Sequence, residues 1–300
     1  MLGELFTLAG ISKSGVVVSL TGLRTIFRIL TLPKTRGASQ MKEAVHWAAK
    51  RELPIPLEEL HLSWQTIGDQ DGEQRVFVLG TPRSLLDTFS QALSKAGIKP
   101  HAVELKPLAL INLANQARAA IVDLEKDSTS IVILVDGVPE VMHTLVTRQG
   151  GLALEDRLQK LTEDLSRTIG FHRRIHPEHS LDSTTPILLT GEVAGDPSVL
   201  DLVRRSTGHS IEFPQPALEC PPDLLLPQYA VNIGLALREL RCGKLDEAGP
   251  SFSCPIKLDL LRSEHGRWWQ GVTERSLPSA LIMLIGQAFR YAMSTVHLTR

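Results

Sequence analysis

The chain has 300 residues, 43% of them hydrophobic, and 32 basic against 33 acidic side chains leave a net charge of −1. That hydrophobic share fills ordinary cores and excludes a disordered chain, while the length sets a prior of about two domains. The balanced charge excludes a general pull toward nucleic acid, which needs a basic surface excess. Three cysteines, Cys220, Cys242 and Cys254, are too few and too far apart for a disulfide framework or a zinc-ligand pair, so a reducing cytoplasm fits. The opening MLGELFTLAGISKSG has no basic stretch before its short apolar run and reads as no signal peptide.

Residues 15–33 read as strands. GVVVSL is β-rich, and along 25–33 Ile26, Arg28, Leu30 and Leu32 alternate with Phe27, Ile29 and Thr31. Over 39–53, Met41, Ala44, Val45, Ala48 and Ala49 follow helical spacing, and Pro54 and Pro56 stop the helix. Strands are expected near 60–67 and 74–80, divided by the turn-rich DQDGE. A helix over 83–96 carries Leu85, Leu86, Phe89, Leu93 and Ala96, with Gly97 placed as a C-cap glycine. HAVEL, 101–105, is a short strand. The order from 15 to 105 is β-α-β-β-α-β, a compact module.

A second pattern starts at 119. AAIVDL, STSIVILVDG and VPEVMHTLVT are three consecutive strands, with Asp136-Gly137 as a hairpin turn. An amphipathic helix over 152–174 is lined by Leu154, Leu158, Leu161, Leu165 and Ile169. PILLT (186–190) is a buried strand, 197–207 a helix ended by Gly208, HSIEF a strand and 228–241 a helix. Three strands, a helix, then alternation is an α/β layer pattern. Residues 242–276, rich in Gly, Pro, Ser and charge, read as a linker.

Several of these segments, in the same order, resemble the PilM family of type IV pilus assembly. VVVSLTGLRTIFRILTLP with MKEAVHWAAKRELPIPLEEL resembles that family's inserted subdomain, including a turn at Pro54-Ile55-Pro56. The stretch from VFVLGTPRSLLDTF to LALINLA resembles the next helix, its Ala96-Gly97-Ile98-Lys99-Pro100 cap and a connecting helix. AIVDLEKDSTSIVILVDGVPEVMHTLVTRQGG resembles the second phosphate loop, LLTGEVAGDPSVLDLVRRSTG the adenosine loop, and QYAVNIGLALRE the closing helix. The resemblance covers about residues 15–240 and implies an α/β, actin-like (ribonuclease H-like) fold with the β-α-β-β-α-β insertion. The layout it implies is a partial first actin-like domain over 1–118 holding a docking subdomain over 15–105. A second actin-like domain follows over 119–241, then the 242–276 linker and a membrane-proximal helix over 277–300. On this alignment the family's opening segment, with the first phosphate loop, is expected to be missing before Met1.

The family implies nucleotide in a cleft and a cytoplasmic tail of the bitopic protein PilN as partner. The related secretion protein GspL carries a similar cytoplasmic domain. An actin-like phosphate site needs hairpins whose backbone amides cradle phosphate, plus an Asp to organise magnesium. By the resemblance, Asp123, Ser128 and Thr129 stand in the second loop, but Glu125 replaces its glycine and adds bulk and charge. Gly191 opens the adenosine loop, where Glu192 replaces a second glycine. Gly150 and Gly151 head the 152–174 helix, where they are either an anion site or a flexible lead-in. ATP and Mg binding is therefore expected to be weak or absent.

No catalytic constellation and no metal site is expected. Pro177 separates His176 from His179, and Phe171-His172-Arg173-Arg174 reads as cations at a helix C-terminus. Trp268-Trp269 reads as an interfacial or partner-contacting pair and not as a stacking platform.

The tail PIKLDLLRSE resembles the short Ile-Asn-Leu-Leu-Pro-like segment that PilN presents, without its Asn and Pro. Ile256, Leu258 and Leu260 are the partner-binding candidates, alternating with Lys257 and Asp259. The 242–254 linker reaches on the order of 20 Å root-mean-square, enough for this strand to fold back on its own body; an ordinary linker strand is the alternative. Over 277–298, Gln287, Arg290 and His297 share one helical stripe, and Leu284, Ile285, Ala288 and Phe289 belong to another. That pattern suits a helix on a membrane surface or partner, with a membrane span and a fold-internal helix as alternatives. The expected function is a cytoplasmic, membrane-peripheral scaffold of type IV pilus assembly, type II secretion or competence. An actin-like ATPase or sugar-kinase-like enzyme is the alternative.

Overall fold

The computed structural model describes residues 2–35, 37–126, 128–146, 154–179, 181, 184–216, 218, 220–221, 224–242, 255–263 and 266–267. They fall into two units: Met1–Leu20, Arg24–Leu105 and Ile256–Arg300 form unit 1, and Thr21–Leu23 with Lys106–Pro255 form unit 2. Gly150, Gly151, Trp268-Trp269 and the 277–298 stretch lie outside the described residues.

In unit 1 a short helix, α1 (Leu2–Leu8), buries Phe6 ahead of β1 (Ser14–Leu20). Then come β2 (Ile26–Pro33), α2 (Ala38–Glu52), β3 (Leu60–Gln70), β4 (Glu73–Pro82), α3 (Arg83–Lys95) and β5 (Lys99–Leu105). The strands divide between two sheets. β2, β4 and β3 form an antiparallel sheet in that order, and β1 pairs in parallel with β5. A strand's side chains alternate between faces. Accordingly Leu30, Leu32, Leu60, Leu62, Val76 and Val78 meet Val45 and Ala49 of α2, with Ile26 packed alongside. On the opposite face Phe27 stacks on Phe77 at 5.5 Å. Asp71 and Gly72, at φ 50° and 84°, make the tight turn between β3 and β4.

Unit 2 runs α4 (Lys106–Ala114), β6 (Ala119–Leu124), β7 (Ser128–Val135), β8 (Val138–Val146), α5 (Leu154–Ile175), β9 (Ile187–Thr190), α6 (Pro197–Thr207), β10 (Ile211–Glu212) and α7 (Ala230–Cys242). Its sheet order is β10-β9-β6-β7-β8; the first three strands are mutually parallel and the last three antiparallel. One face packs under α5 and α6 through Val122, Leu124, Ile131, Ile133, Leu161, Leu165, Val199 and Val203. The other face meets α4, which packs on β6 and β7 and against α7. Every residue of α4 is buried. Among the described residues, no helix is long and apolar enough to cross a membrane.

Residues 256–261, expected as linker or tail, belong to unit 1 and bury Ile256, Leu258, Leu260 and Leu261. A small hairpin, β11 (Arg262–Ser263) and β12 (Gly266–Arg267), follows. HSIEF contributes only the two-residue β10.

Candidate functional site

Asp123 is the penultimate residue of β6, fully buried on the α4 side of the unit 2 sheet. Its parallel neighbour Thr190, the last residue of β9, donates its hydroxyl to Asp123 Oδ1 at 2.9 Å. The first residue of α4, Lys106, sets its Nζ against Asp123 Oδ2 and lies 3.5 Å from Glu125 Oε1. Burial pushes the Lys106 pKa down, but the charges of Asp123 and then Glu125 outweigh it and hold the ammonium above its ordinary value. A cation at a helix N-terminus opposes the helix dipole. The two carboxylates supply the compensation.

Helix α4 is held close to α7. A Cβ on Gly234 would stand 1.9 Å from the Ala109 carbonyl oxygen, so only glycine lets the two backbones approach this far. This contact sets α4, and with it Lys106, on the sheet.

The structure sorts the residues expected from the sequence. Asp123 and Glu125 come together around Lys106. Glu125 also closes the β6–β7 turn, its amide donating to the Ser128 carbonyl at 2.9 Å. Ser128 and Thr129 follow each other on β7 and so point to opposite faces. Thr129 pairs with Leu124, on the α5/α6 face. The hydroxyl residue paired with Asp123 is Ser130, which the sequence reading passed over; it is buried and shares a hydrogen bond of 3.1 Å with Thr144.

Gly191 follows β9 at φ 97°, where a Cβ would lie 2.3 Å from the Leu124 carbonyl oxygen. Its amide donates to the Pro227 carbonyl at 2.8 Å, so that donor is already used. His172, Arg173 and Arg174 stand in the last turn of α5 as expected, but His172 is buried there. It is 1% exposed, and its Nε2 meets Glu140 Oε2 at 2.5 Å. Among the described residues no His, Cys, Asp or Glu cluster suits a metal ion. Lys106 was missed because sequence reading looked for anion-binding glycines. The available signal was one lysine in the otherwise nearly apolar run KPLALINLA.

A second locus lies in unit 1. The Leu260 amide donates to the Val103 carbonyl of β5 at 2.8 Å. The Val103 amide donates to Asp259 Oδ1 at 3.1 Å, and Asp259 Oδ1 also accepts from the Leu261 amide at 3.0 Å. The Lys257 amide donates to Gln65 Oε1 on β3 at 2.7 Å. Gln65 pairs with Phe77 and so lies on the face opposite α2. The segment thus joins the two sheets of unit 1. Its alternation is the one expected: Ile256, Leu258 and Leu260 buried, Lys257 exposed.

No family model matches the sequence, and no curated protein does. Among solved structures, a chain of a PilM–PilN type IV pilus biogenesis complex is similar at TM-score 0.63 and 24% identity, over 79% of this chain and 83% of that one. The cytoplasmic domain of EpsL, an inner-membrane component of the Vibrio cholerae type II secretion system, matches at TM-score 0.46 and 14% identity, over 87% and 82%. A Bacteroides thetaiotaomicron protein with an actin-like ATPase fold matches at TM-score 0.38 and 12% identity, over 73% and 72%. The chain has an α/β fold, and it shares that fold with the chain from the PilM–PilN complex.

Proposed function

We propose that this chain is a non-catalytic scaffold of type IV pilus assembly. It works at the cytoplasmic face of the inner membrane and holds the tail of a PilN-like bitopic protein. The observation that carries the reading is the fold likeness to a PilM–PilN complex over most of both chains. At this identity the step from fold to function is analogy. The ordered motifs between residues 15 and 240 support it independently of the coordinates.

The unit 2 geometry supports the non-catalytic part. ATP with magnesium, which the resemblance implies, does not fit the residues around Asp123. The ammonium of Lys106 already stands against that carboxylate, Glu125 adds a negative charge, and the Gly191 amide is bonded internally. A divalent ion would have to displace a buried ammonium from both acids. An actin-like ATPase or sugar-kinase-like enzyme needs that position open.

The test is co-purification of the tagged full chain with the host's PilN-like protein from detergent extracts, together with counting surface pili after deletion of the gene. The expected result is recovery of the partner above an untagged control and loss of pili. No recovery and unchanged pili would overturn the reading.

A further inference from the structure

The β5 edge of unit 1 is used in an unusual way. Val103 gives both its amide and its carbonyl to residues 259–260. A strand edge with open N–H and C=O groups is a template for any extended peptide, so proteins cover it. Here the cover is a segment reached only after the whole of unit 2 has been built. The segment is not a strand of the β1–β5 sheet; the Leu260–Val103 main-chain bond and bonds through the Asp259 and Gln65 side chains hold it, and alternate residues bury their side chains, as in recognition of an extended peptide. Ile256, Leu258 and Leu260 fill apolar positions, with Ile256 fully buried. Asp259 places one side-chain oxygen between two amides. A short side chain with an acceptor oxygen, Asp or Asn, meets that geometry, and a longer or apolar one does not.

We infer that Ile256–Leu261 is a built-in ligand of unit 1: it fills, within the same chain, an extended-peptide groove formed by β5 and the face of β3 that carries Gln65, and it excludes a second peptide of the same pattern. The inference deepens the docking role proposed above and rests on it. The peptides this groove takes have apolar residues at alternate positions and Asp or Asn before the last apolar pair. A tethered occupant acts at an effective concentration on the order of millimolar. A free peptide binding in the ~10 μM range is therefore held off by about 100-fold. A trans partner enters only when the tail is drawn out.

The test uses the full chain and a fluorescent synthetic peptide copying residues 255–263, read by anisotropy. Three forms are compared: wild type, the Leu258→Asp/Leu260→Asp double variant, and a chain carrying a protease site within 245–250, before and after cutting. Circular dichroism checks that each is folded. The expected result is peptide binding by the double variant and the cut chain, with apparent affinity about 100-fold tighter than for wild type or uncut chain. A peptide with Asp259→Asn should bind like the parent, and one with Asp259→Leu at least about 10-fold more weakly. Equal binding by wild type and the double variant would overturn cis occupancy. No binding by the folded double variant and by the cut chain would overturn the groove. Should the double variant not fold, the cut chain alone decides. Since only this chain and its own peptide take part, failure here leaves the pilus assignment to the co-purification.

Discussion

Lys106 and Asp123 form an ion pair inside unit 2, the lysine side chain 11% exposed and the aspartate 1%. Removing one partner of such a pair leaves an uncompensated buried charge, which costs about 3–5 kcal/mol. Lys106→Met should therefore destabilise the protein by about that amount in urea denaturation. The double variant Lys106→Met/Asp123→Leu should recover most of the loss, because apolar replacement of both partners is often neutral or better. Equal losses in the single and double variants would remove the pair from the account.

The same pair sets an alkaline limit. Against the effect of burial, the charges of Asp123 and Glu125 raise the folded pKa of Lys106 above its ordinary value. A raised folded pKa contributes stability that is whole below the unfolded value and is lost as pH rises through the folded one. The Lys106 contribution should be flat between pH 7 and about 10, then fall. The gap between the denaturation midpoints of wild type and Lys106→Met, followed from pH 7 to 11, should stay constant to about pH 10 and begin to narrow above it.

Gly234 fixes the approach of α7 to α4. Gly234→Ala puts a methyl 1.9 Å from the Ala109 carbonyl oxygen, so the helices must part. The expected cost is about 1–3 kcal/mol, seen as a lower thermal midpoint. Because α4 begins at Lys106, the variant should also bring the Lys106→Met penalty below that in wild type. Additive losses would uncouple the two sites.

The tail makes a prediction in hydrogen exchange. The amides of Val103, Leu260 and Leu261 should be protected in the unmodified chain, and Leu258→Asp/Leu260→Asp should speed all three. Fast exchange of residues 256–261 in the unmodified chain would make the segment a plain linker.

The legible part of this fold follows from periodic patterns and punctuation. Asp136-Gly137 reads as a hairpin turn and has φ of 49° and 79°; Gly97 and Gly208 read as helix ends and have φ of 71° and 70°. Leu158, Leu161, Leu165 and Ile169 face the core as helical spacing requires. What escaped has physical reasons. Helix α4 is buried all round, so it shows no stripe, and the functional weight of Lys106 depends on a partner seventeen positions away in sequence. The strand order over 15–105 was readable, but its division into two sheets was not, because pairing partners leave no mark on a single strand. Ser130 was overlooked for Thr129 because a loop was assumed where β7 already alternates. Tail residues 256–261 read as composition-shifted linker with a strand-like pattern, and only their burial in unit 1 separates the two.

On the function proposed above, this chain works by holding partners and not by turning over nucleotide. Titration calorimetry of the full chain with ATP and magnesium tests it most directly. The expected result is no saturable heat below millimolar ATP, since the Lys106 ammonium already stands against Asp123 and the Gly191 amide is already bonded. A dissociation constant in the low micromolar range, with magnesium required for it, would contradict the account.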